Sequence, residues 1–429
     1  MTTAPSTRGS VTVDETIALV RRCCRPLPPE PVPLGEALGR VLRQDVLAPE
    51  DQPPFDRSAV DGYAVRADDT SVRFRVVESL RAGDWKPFRL QEGEAAQIAT
   101  GAALLGKGVR VLKKEEVRRD GGEIVVLERA LDPNIRWRGE DARAGSVLVR
   151  SGTALSPGAL ALLASAGCGC PLVTALPRVL HEITGDEIVP PLQTPAPGQV
   201  RDSNSTLVRA FLTQWGIVPK QRRVGELEML SESGIRNPKL VPRRAKIKGR
   251  RPKPAGRNPP LDGEAPNLWL ISGGASVGEH DFTARRLEQA GYRIRVRRTS
   301  ARPGKPLLFA TRGPAVAFGL PGNPLAHFVC LNLYVRAALD GFGRVAEPDG
   351  FGQGALARNL DAGANERETL WPARLAFRGG KAELDPLRWR SSGDITCLAV
   401  ANALVRIPAG CGRLARGAAV AFLPTAPRL

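Results

Sequence analysis

The chain has 429 residues, 42% of them apolar, which is more than one ordinary core accommodates, so two to four domains are expected. No uninterrupted run of about 18 apolar residues and no charged, apolar and cleavable leader is found, which argues against membrane insertion and export and for a cytoplasmic protein. The seven cysteines are odd in number and lack paired C-x-x-C spacing, so they predict neither a disulfide framework nor a zinc site, and the formal charge of +18 draws +10 from one acid-free stretch, Arg236–Arg257.

In chain order, Val13–Cys24 opens with acids and spaces Ile17, Ala18 and Val20 helically, ending before the proline-rich Arg25–Pro33. A second short helix is predicted over Leu34–Leu42. Pro53 and Pro54 forbid a helix in Pro53–Val65, whose later alternation reads as a strand, with Asp61 beside Gly62. Short alternating runs at Phe74–Val77, Ala95–Ile98, Val109–Leu112 and Ile124–Leu127 predict a small antiparallel β module. Asn134–Asp141 closes it, Gly145–Thr153 returns to a strand, and Pro157–Ala166 reads as a helix with Leu160, Leu162 and Leu163 on its apolar side.

From Pro177 the rhythm changes to strand, loop and helix. Val179–Ile183 is a strand ending in Thr184-Gly185-Asp186-Glu187, at the carboxyl end where open α/β sheets hold ligands. Asp202-Ser203-Asn204-Ser205 caps a helix over Thr206–Trp215. Strands at Leu268–Ile271, Pro306–Ala310 and Ala315–Gly319, with helices at Thr283–Ala290 and Leu325–Leu339, complete a doubly wound α/β domain. Past Phe342 the runs Leu370–Phe377, Ala382–Leu387, Ala403–Ile407 and Ala418–Leu423 predict a small C-terminal β barrel or sandwich. The fold class is therefore multidomain, α/β plus β.

The chemistry centres on Asn267–Pro324. Two Gly-rich turns, Ser272–Gly278 and Leu320–Pro324, each follow an apolar run and precede a helix, a placement that leaves backbone N–H groups free to hold an anion. Between them Arg302-Pro303-Gly304-Lys305-Pro306 sets two cations on a proline-bracketed loop. The expected ligand carries more than one negative group. On the residues alone Asp61, Thr100 and Glu187 read equally as turn residues, and Asp281 as a cap for the helix at Thr283. His181, His280 and His327 are isolated and receive no catalytic role.

Nine segments in sequence carry a resemblance: PPFDRSAVDGYAV (Pro53–Val65), ATGA (Ala99–Ala102), NIRWRGED (Asn134–Asp141), TGDE (Thr184–Glu187), DSN (Asp202–Asn204), SGGASVGEHDF (Ser272–Phe282), RPGKP (Arg302–Pro306), GLPGNP (Gly319–Pro324) and SSGD (Ser391–Asp394). Together they resemble the molybdopterin molybdenumtransferase family, of the MoeA and gephyrin E-domain type. The resemblance implies a split N-terminal domain (1–48 and 143–176), an inserted β module (49–142), an α/β molybdopterin-binding domain (177–341) and a C-terminal β domain (342–429). It also implies an elongated homodimer with an active cleft shared between protomers, and a molybdopterin adenylyltransferase as the upstream partner. The implied reaction is Mg²⁺-dependent insertion of molybdate into adenylated molybdopterin with release of AMP. Carried over onto this chain, Asp61, Glu187 and Asp281 hold the metal and position water, with Thr100 and Asp141 as further members. Arg302, Lys305 and Arg374, with Ser391 or Ser392, hold molybdate. Ser272, Gly273, Gly274, Ser276, Gly278, Gly304, Pro321, Gly322 and Asn323 line the pterin and its phosphate.

Two departures stand out. Arg302 occupies a position where the family usually has lysine, which keeps the charge and changes its shape. Lys220–Pro266 is basic and proline-interrupted, without the apolar period of the helix expected there. It reads either as a basic surface insertion able to bind an acidic partner or as the product of a shifted reading frame, with family-like sequence resuming at Leu268. Three functions follow: the enzyme, acting on molybdate or on tungstate; a molybdopterin-binding scaffold without turnover; and a nucleic-acid binder, disfavoured because the basic segment lacks interleaved aromatics.

Overall fold

Three runs of the chain are buried at every position, Val179–Thr184 (β1), Leu268–Ser272 (β3) and Ala315–Leu320 (β6). Continuous burial is what a parallel sheet covered on both faces requires. A computed structural model, describing residues 10–225, 265–273, 280–343, 345 and 350–425, sets them side by side in one six-stranded sheet. With Lys220–Val224 (β2), Arg293–Val296 (β4) and Leu308–Arg312 (β5), the order is β2-β1-β3-β6-β5-β4. The first four are parallel and the last two antiparallel to their neighbours. The register pairs Ile183 with Ser272 and Ser272 with Leu320, so the carboxyl ends of β1, β3 and β6 finish level. The chain leaves β1 for β2 on one side and later enters β3 on the other, which makes that end a topological switch point.

The helices bracket this sheet. Val13–Cys23 (α1) begins at a reciprocal Thr12–Glu15 capping box. In Asn204–Thr213 (α2) the buried Val208, Phe211 and Leu212 form one face, and the Ser205 N–H and hydroxyl both donate to the Asp202 carboxylate. His280–Gln289 (α3) starts ahead of Asp281, so that residue lies inside the helix and is not its N-cap. The predicted apolar helix after the second turn is Pro324–Cys330 (α4), a π-helical stretch Leu331–Val335, and Arg336–Gly343 (α5), almost wholly buried. Beneath the sheet Val208, Leu268, Leu270, Phe309, Phe318 and Tyr334 share one core. On the opposite face, beside Leu180 and Trp269, Glu182 of β1 is fully buried, accepting from Arg222 of β2 and from Arg286 of α3 at 3.1 Å, while the Arg286 guanidinium lies 5.6 Å over the Trp269 ring.

The C-terminal β domain closes into a five-stranded barrel. Gly352–Leu356 (β7), Glu368–Arg378 (β8), Lys381–Pro386 (β9), Ala403–Ile407 (β10) and Ala419–Pro424 (β11) run in the order β8-β9-β7-β11-β10, and β10 pairs back onto β8. Closure removes both sheet edges, and Ala373, Leu384, Val405 and Phe422 fill the interior. Ala301–Arg302 joins the side of β8 in parallel.

The chain divides into two compact units, one of residues 1–30, 39–41 and 172–429, holding the α/β sheet and the barrel, and one of residues 31–38 and 42–171. In the second, a six-stranded sheet contains Gly62–Arg66, Arg73–Leu80, Glu94–Ile98, Val109–Lys113, Val117–Asp120 and Glu123–Val126. Alternate residues serve two small cores, Ala64, Ile98 and Val111 on one face and Tyr63, Phe74 and Leu112 on the other.

Two expectations are corrected here. The β module is mixed, because Arg73–Leu80 and Glu94–Ile98 run parallel, joined by a connection long enough to cross back. Leu34–Leu42 is only a 3₁₀ turn at Leu34–Glu36, interrupted by Gly39 at φ 72°. The strand at Lys220–Val224 is present within the segment that departs from the family pattern, and 226–264, on which the choice between insertion and shifted frame falls, lies outside the described residues.

Candidate functional site

The site is built where β1, β3 and β6 end. Gly273 leaves β3 at φ 97°, and a Cβ there would meet the Thr184 carbonyl and hydroxyl oxygens at 2.5 Å, so only glycine lets the first turn pass over the end of β1. The Thr184 hydroxyl donates to the Ser272 carbonyl at 3.0 Å and pins that crossing. Gly185, at φ 115°, has the Glu187 carboxylate folded over it, with Oε2 2.7 Å from where a side chain would begin. Among the described residues the Gly273 Cα is the atom closest to a Cβ added at Gly322, at 3.9 Å, chain neighbours aside. The two Gly-rich turns therefore abut.

Two further motifs are tied to the second turn. The Asn204 side-chain amide donates to the Gly322 carbonyl at 2.7 Å, which links the start of α2 to that turn. The Asn323 amide donates to the Ser392 hydroxyl at 2.8 Å, and the Leu325 N–H to the Ser392 carbonyl at 3.1 Å. Five of the nine motifs, TGDE, DSN, the first Gly-rich turn, LPGNP and SSGD, thus meet. Beside them an open cavity of about 580 Å³ is lined by Arg388, Arg390, Ser391, Gly393, Asp394 and Thr396. Two cations face it that motif reasoning did not single out. The Asp394 carboxyl is held below its ordinary range by the Thr396 hydroxyl and amide and by the Arg390 amide.

The RPGKP loop approaches α4 from the side. Gly304, at φ 120°, packs against Cys330, whose Sγ would lie 3.3 Å from an added Cβ. Lys305 is exposed. Arg302 turns to the barrel domain: its guanidinium lies 5.8 Å over the Trp389 ring and donates to the Ala362 carbonyl at 3.1 Å. Pro321 is buried while Gly322 and Asn323 are exposed. Arg374 stands exposed on β8 opposite Asp385, and among the described residues no hydrogen bond ties it to the Ser391–Asp394 loop. Gly274, Ser276, Gly278 and the Asp281 side chain lie outside the described residues.

In the other unit, the Asp61 Oδ1 accepts from both the amide and the hydroxyl of Thr100 at 2.8 Å, with Lys114 Nζ 4.0 Å from Oδ2. These donors, Thr100 first and Lys114 after it, hold the exposed carboxyl below its ordinary range. Asp141 pairs with Arg136, whose Nη2 donates to both carboxylate oxygens at 2.5 and 2.7 Å.

Beneath the turns lies a feature absent from the motif reading. His181 of β1 and His327 of α4 are fully buried on either side of the Ser272 hydroxyl, with Nε2 atoms 2.5 and 3.5 Å away. Burial lowers the pKa of His181 to about 3 and that of His327 to about 4. Their positions in the chain give no sign that they meet.

Comparison with known proteins adds the following. Residues 11–167 match the MoeA N-terminal region (domain I and II), residues 262–341 a probable molybdopterin binding domain, and residues 353–425 the MoeA C-terminal region (domain IV). A molybdopterin molybdenumtransferase of a Nostoc species is 31% identical over 402 residues, covering 89% of this chain and 85% of that protein. One from Bacillus subtilis is 29% identical over 415 residues, covering 94% and 91%. The crystal structure of a molybdopterin biosynthesis MoeA protein from Pyrococcus horikosii superposes with a TM-score of 0.71 at 28% identity, covering 97% of this chain and 99% of that one.

Proposed function

The chain belongs to the molybdopterin molybdenumtransferase family, and from that premise we propose that it inserts molybdate into adenylated molybdopterin, with release of AMP, to give molybdenum cofactor. The observation that carries this reading is the abutment of Gly273 and Gly322 at neighbouring strand ends. Two bare turns meeting there offer backbone N–H groups to one phosphate without a side chain in the way. Asn204 supports it as well. Its Oδ1 is buried with no partner among the described residues, beside Gly322, and is an acceptor suited to an N–H of a pterin ring.

We assign Glu187 and Asp281 to positioning the water that opens the phosphate anhydride, and Lys305, Arg302, Arg374, Ser391 and Ser392 to the molybdate dianion. Arg388 and Arg390 add cationic character next to Ser391. Mg²⁺ favours hard oxygen donors and is commonly held by one or two carboxylates together with substrate phosphates. The exposed carboxylate of Glu187 at the strand ends is a donor of that kind, as is that of Asp61 in the other unit; each by its chemistry fits the ion, which when bound would neutralise charge on the anhydride. Thr100 orients Asp61, and Arg136 orients Asp141. A homodimer in the cytoplasm, supplied by a molybdopterin adenylyltransferase, completes the reading.

Reconstitution tests it. Purified protein with adenylated molybdopterin, Mg²⁺ and either molybdate or tungstate is expected to release AMP and form active cofactor. Tight binding of the substrate without AMP release with either oxyanion makes the protein a scaffold instead, and reaction with tungstate alone makes it a tungsten enzyme.

A further inference from the structure

The hydrogen bonds around Ser272 have a direction that the partners dictate. Arg209 donates to Gln221 Oε1 from Nε at 2.9 Å and from Nη2 at 2.6 Å, which turns the Gln221 NH₂ the other way. That NH₂ donates to the Ser205 carbonyl at 2.8 Å and to His181 Nδ1 at 3.0 Å. An amide NH₂ has no lone pair to offer, so His181 Nδ1 accepts and its hydrogen sits on Nε2, which donates to the Ser272 hydroxyl. At the other end His327 Nδ1 lies 3.0 Å from the Pro321 carbonyl, which only accepts, so the His327 hydrogen sits on Nδ1 and its Nε2 lone pair faces Ser272. Ser272 accepts from one imidazole and donates to the other. The chain runs from Arg209 to Pro321 without a donor facing a donor.

Ser272 and Pro321 are the residues immediately before Gly273 and Gly322. We propose that His181 and His327 are positioning residues which, in opposite tautomers and through Ser272, lock the two phosphate-holding turns into register. The inference rests on the reading of those turns as the molybdopterin phosphate site. Neither histidine touches the ligand; each acts on the backbone that does. A second proton on His181 would set Nδ1–H against the Gln221 NH₂, and one on His327 would take away the lone pair that accepts the Ser272 hydroxyl hydrogen. Burial opposes both protons, helped at His181 by His327 and Arg209 and resisted at His327 by the Pro321 carbonyl and Asp202.

The test uses the full chain and molybdopterin itself as the probe. His181→Gln keeps an N–H where Nε2 stands, whereas His181→Asn carries its amide only to the Nδ1 position and leaves Ser272 without its donor. Molybdopterin binding is expected to stay within about twofold of wild type in His181→Gln and to weaken about tenfold in His181→Asn and Ser272→Ala, tenfold corresponding to about 1.4 kcal/mol. Equal affinities in the two His181 variants, or wild-type affinity in Ser272→Ala, would overturn the proposal. A second readout does not need the ligand. With three histidines in the chain, ¹⁵N spectra of the imidazoles resolve tautomers directly, and His181 and His327 are expected as opposite neutral tautomers at pH 7. The same tautomer in both, or a charged ring in either, overturns it. Opposite tautomers in a protein that does not bind molybdopterin would instead show that the turns are not the phosphate site, and the positioning role falls with them.

Discussion

The ends of β1, β3 and β6 and the turn around Asp61 both prepare for a charged ligand, by opposite means. At the strand ends the polar groups are buried and paired with one another: the Glu182 side chain is 0% exposed between two arginines, and Ser272 is held from both sides by imidazoles. Around Asp61 the side chain is 54% exposed, and only one carboxylate oxygen accepts hydrogen bonds, from Thr100, the other facing Lys114 Nζ at 4.0 Å. Buried polar groups with every partner supplied fix backbone geometry, because any rearrangement leaves one of them unsatisfied in a low-dielectric interior. An exposed carboxylate with one oxygen outside any hydrogen bond fixes little and stays available to a ligand or an ion. Stability and turn geometry should therefore reside in the first region, and ion response in the second.

The strongest test of that division is Glu182→Gln. It removes the buried negative charge to which both Arg222 and Arg286 donate, and losing one partner of a buried charge pair costs about 3–5 kcal/mol. Urea unfolding measures the loss, and a change near zero would mean the strand ends are not held as described. Acidification sharpens the same point. Burial keeps the folded pKa of both imidazoles below the ordinary 6.5, at about 3 for His181 and about 4 for His327. The unfolded chain then binds the extra protons between about pH 4 and 6.5, so the stability they contribute is full above that window and lost as pH falls through it. The slope is about 1.4 kcal/mol per pH unit for each ring well inside the window. Replacing one histidine should halve this slope; an unchanged slope in His181→Gln would contradict it. The smallest effect on stability is expected for Asp61→Asn, whose melting temperature should match wild type, while the Mg²⁺ concentration giving half-maximal AMP release rises. Unfolding of this variant, or an unchanged Mg²⁺ response, would erase the contrast between the regions.

What could be read before folding follows the range of the physics involved. Glycine and proline act locally, so Thr184–Glu187, Gly273, Gly304 and Gly322 were legible as turns, and short apolar runs made β3 and β6 legible as strands, as the strand-loop-helix rhythm did for β1, whose His181 and Glu182 interrupt its apolar residues. Their meeting at one edge follows from the parallel register, which the strand-loop-helix rhythm implies. Local pattern over-read Leu34–Leu42, where Gly35 and Gly39 outweigh the leucines, and the β module, where the direction of Glu94–Ile98 depends on a connection rather than on alternation. His181 and His327 were illegible as a pair. Their approach to Ser272 depends on the pairing of β1 with β3 and on the first turn of α4, neither of which leaves a mark near either residue. Arg388 and Arg390 were missed because exposed arginines carry no spacing signal. Arg302 was legible as a cation, but not its stacking on Trp389, which requires the barrel to be folded.

The central claim is that the bare backbone of the abutting turns holds the pterin phosphate, and Gly322→Val tests it most directly. Gly322 is exposed, its φ lies outside the region reserved for glycine, and among the described residues an added Cβ meets nothing nearer than the Gly273 Cα at 3.9 Å, so the branched side chain is expected to crowd the ligand rather than the described backbone. Titration with molybdopterin should give a variant with wild-type melting temperature and affinity at least about tenfold weaker, a change of about 1.4 kcal/mol. A folded Gly322→Val protein that binds molybdopterin as tightly as wild type would contradict the account.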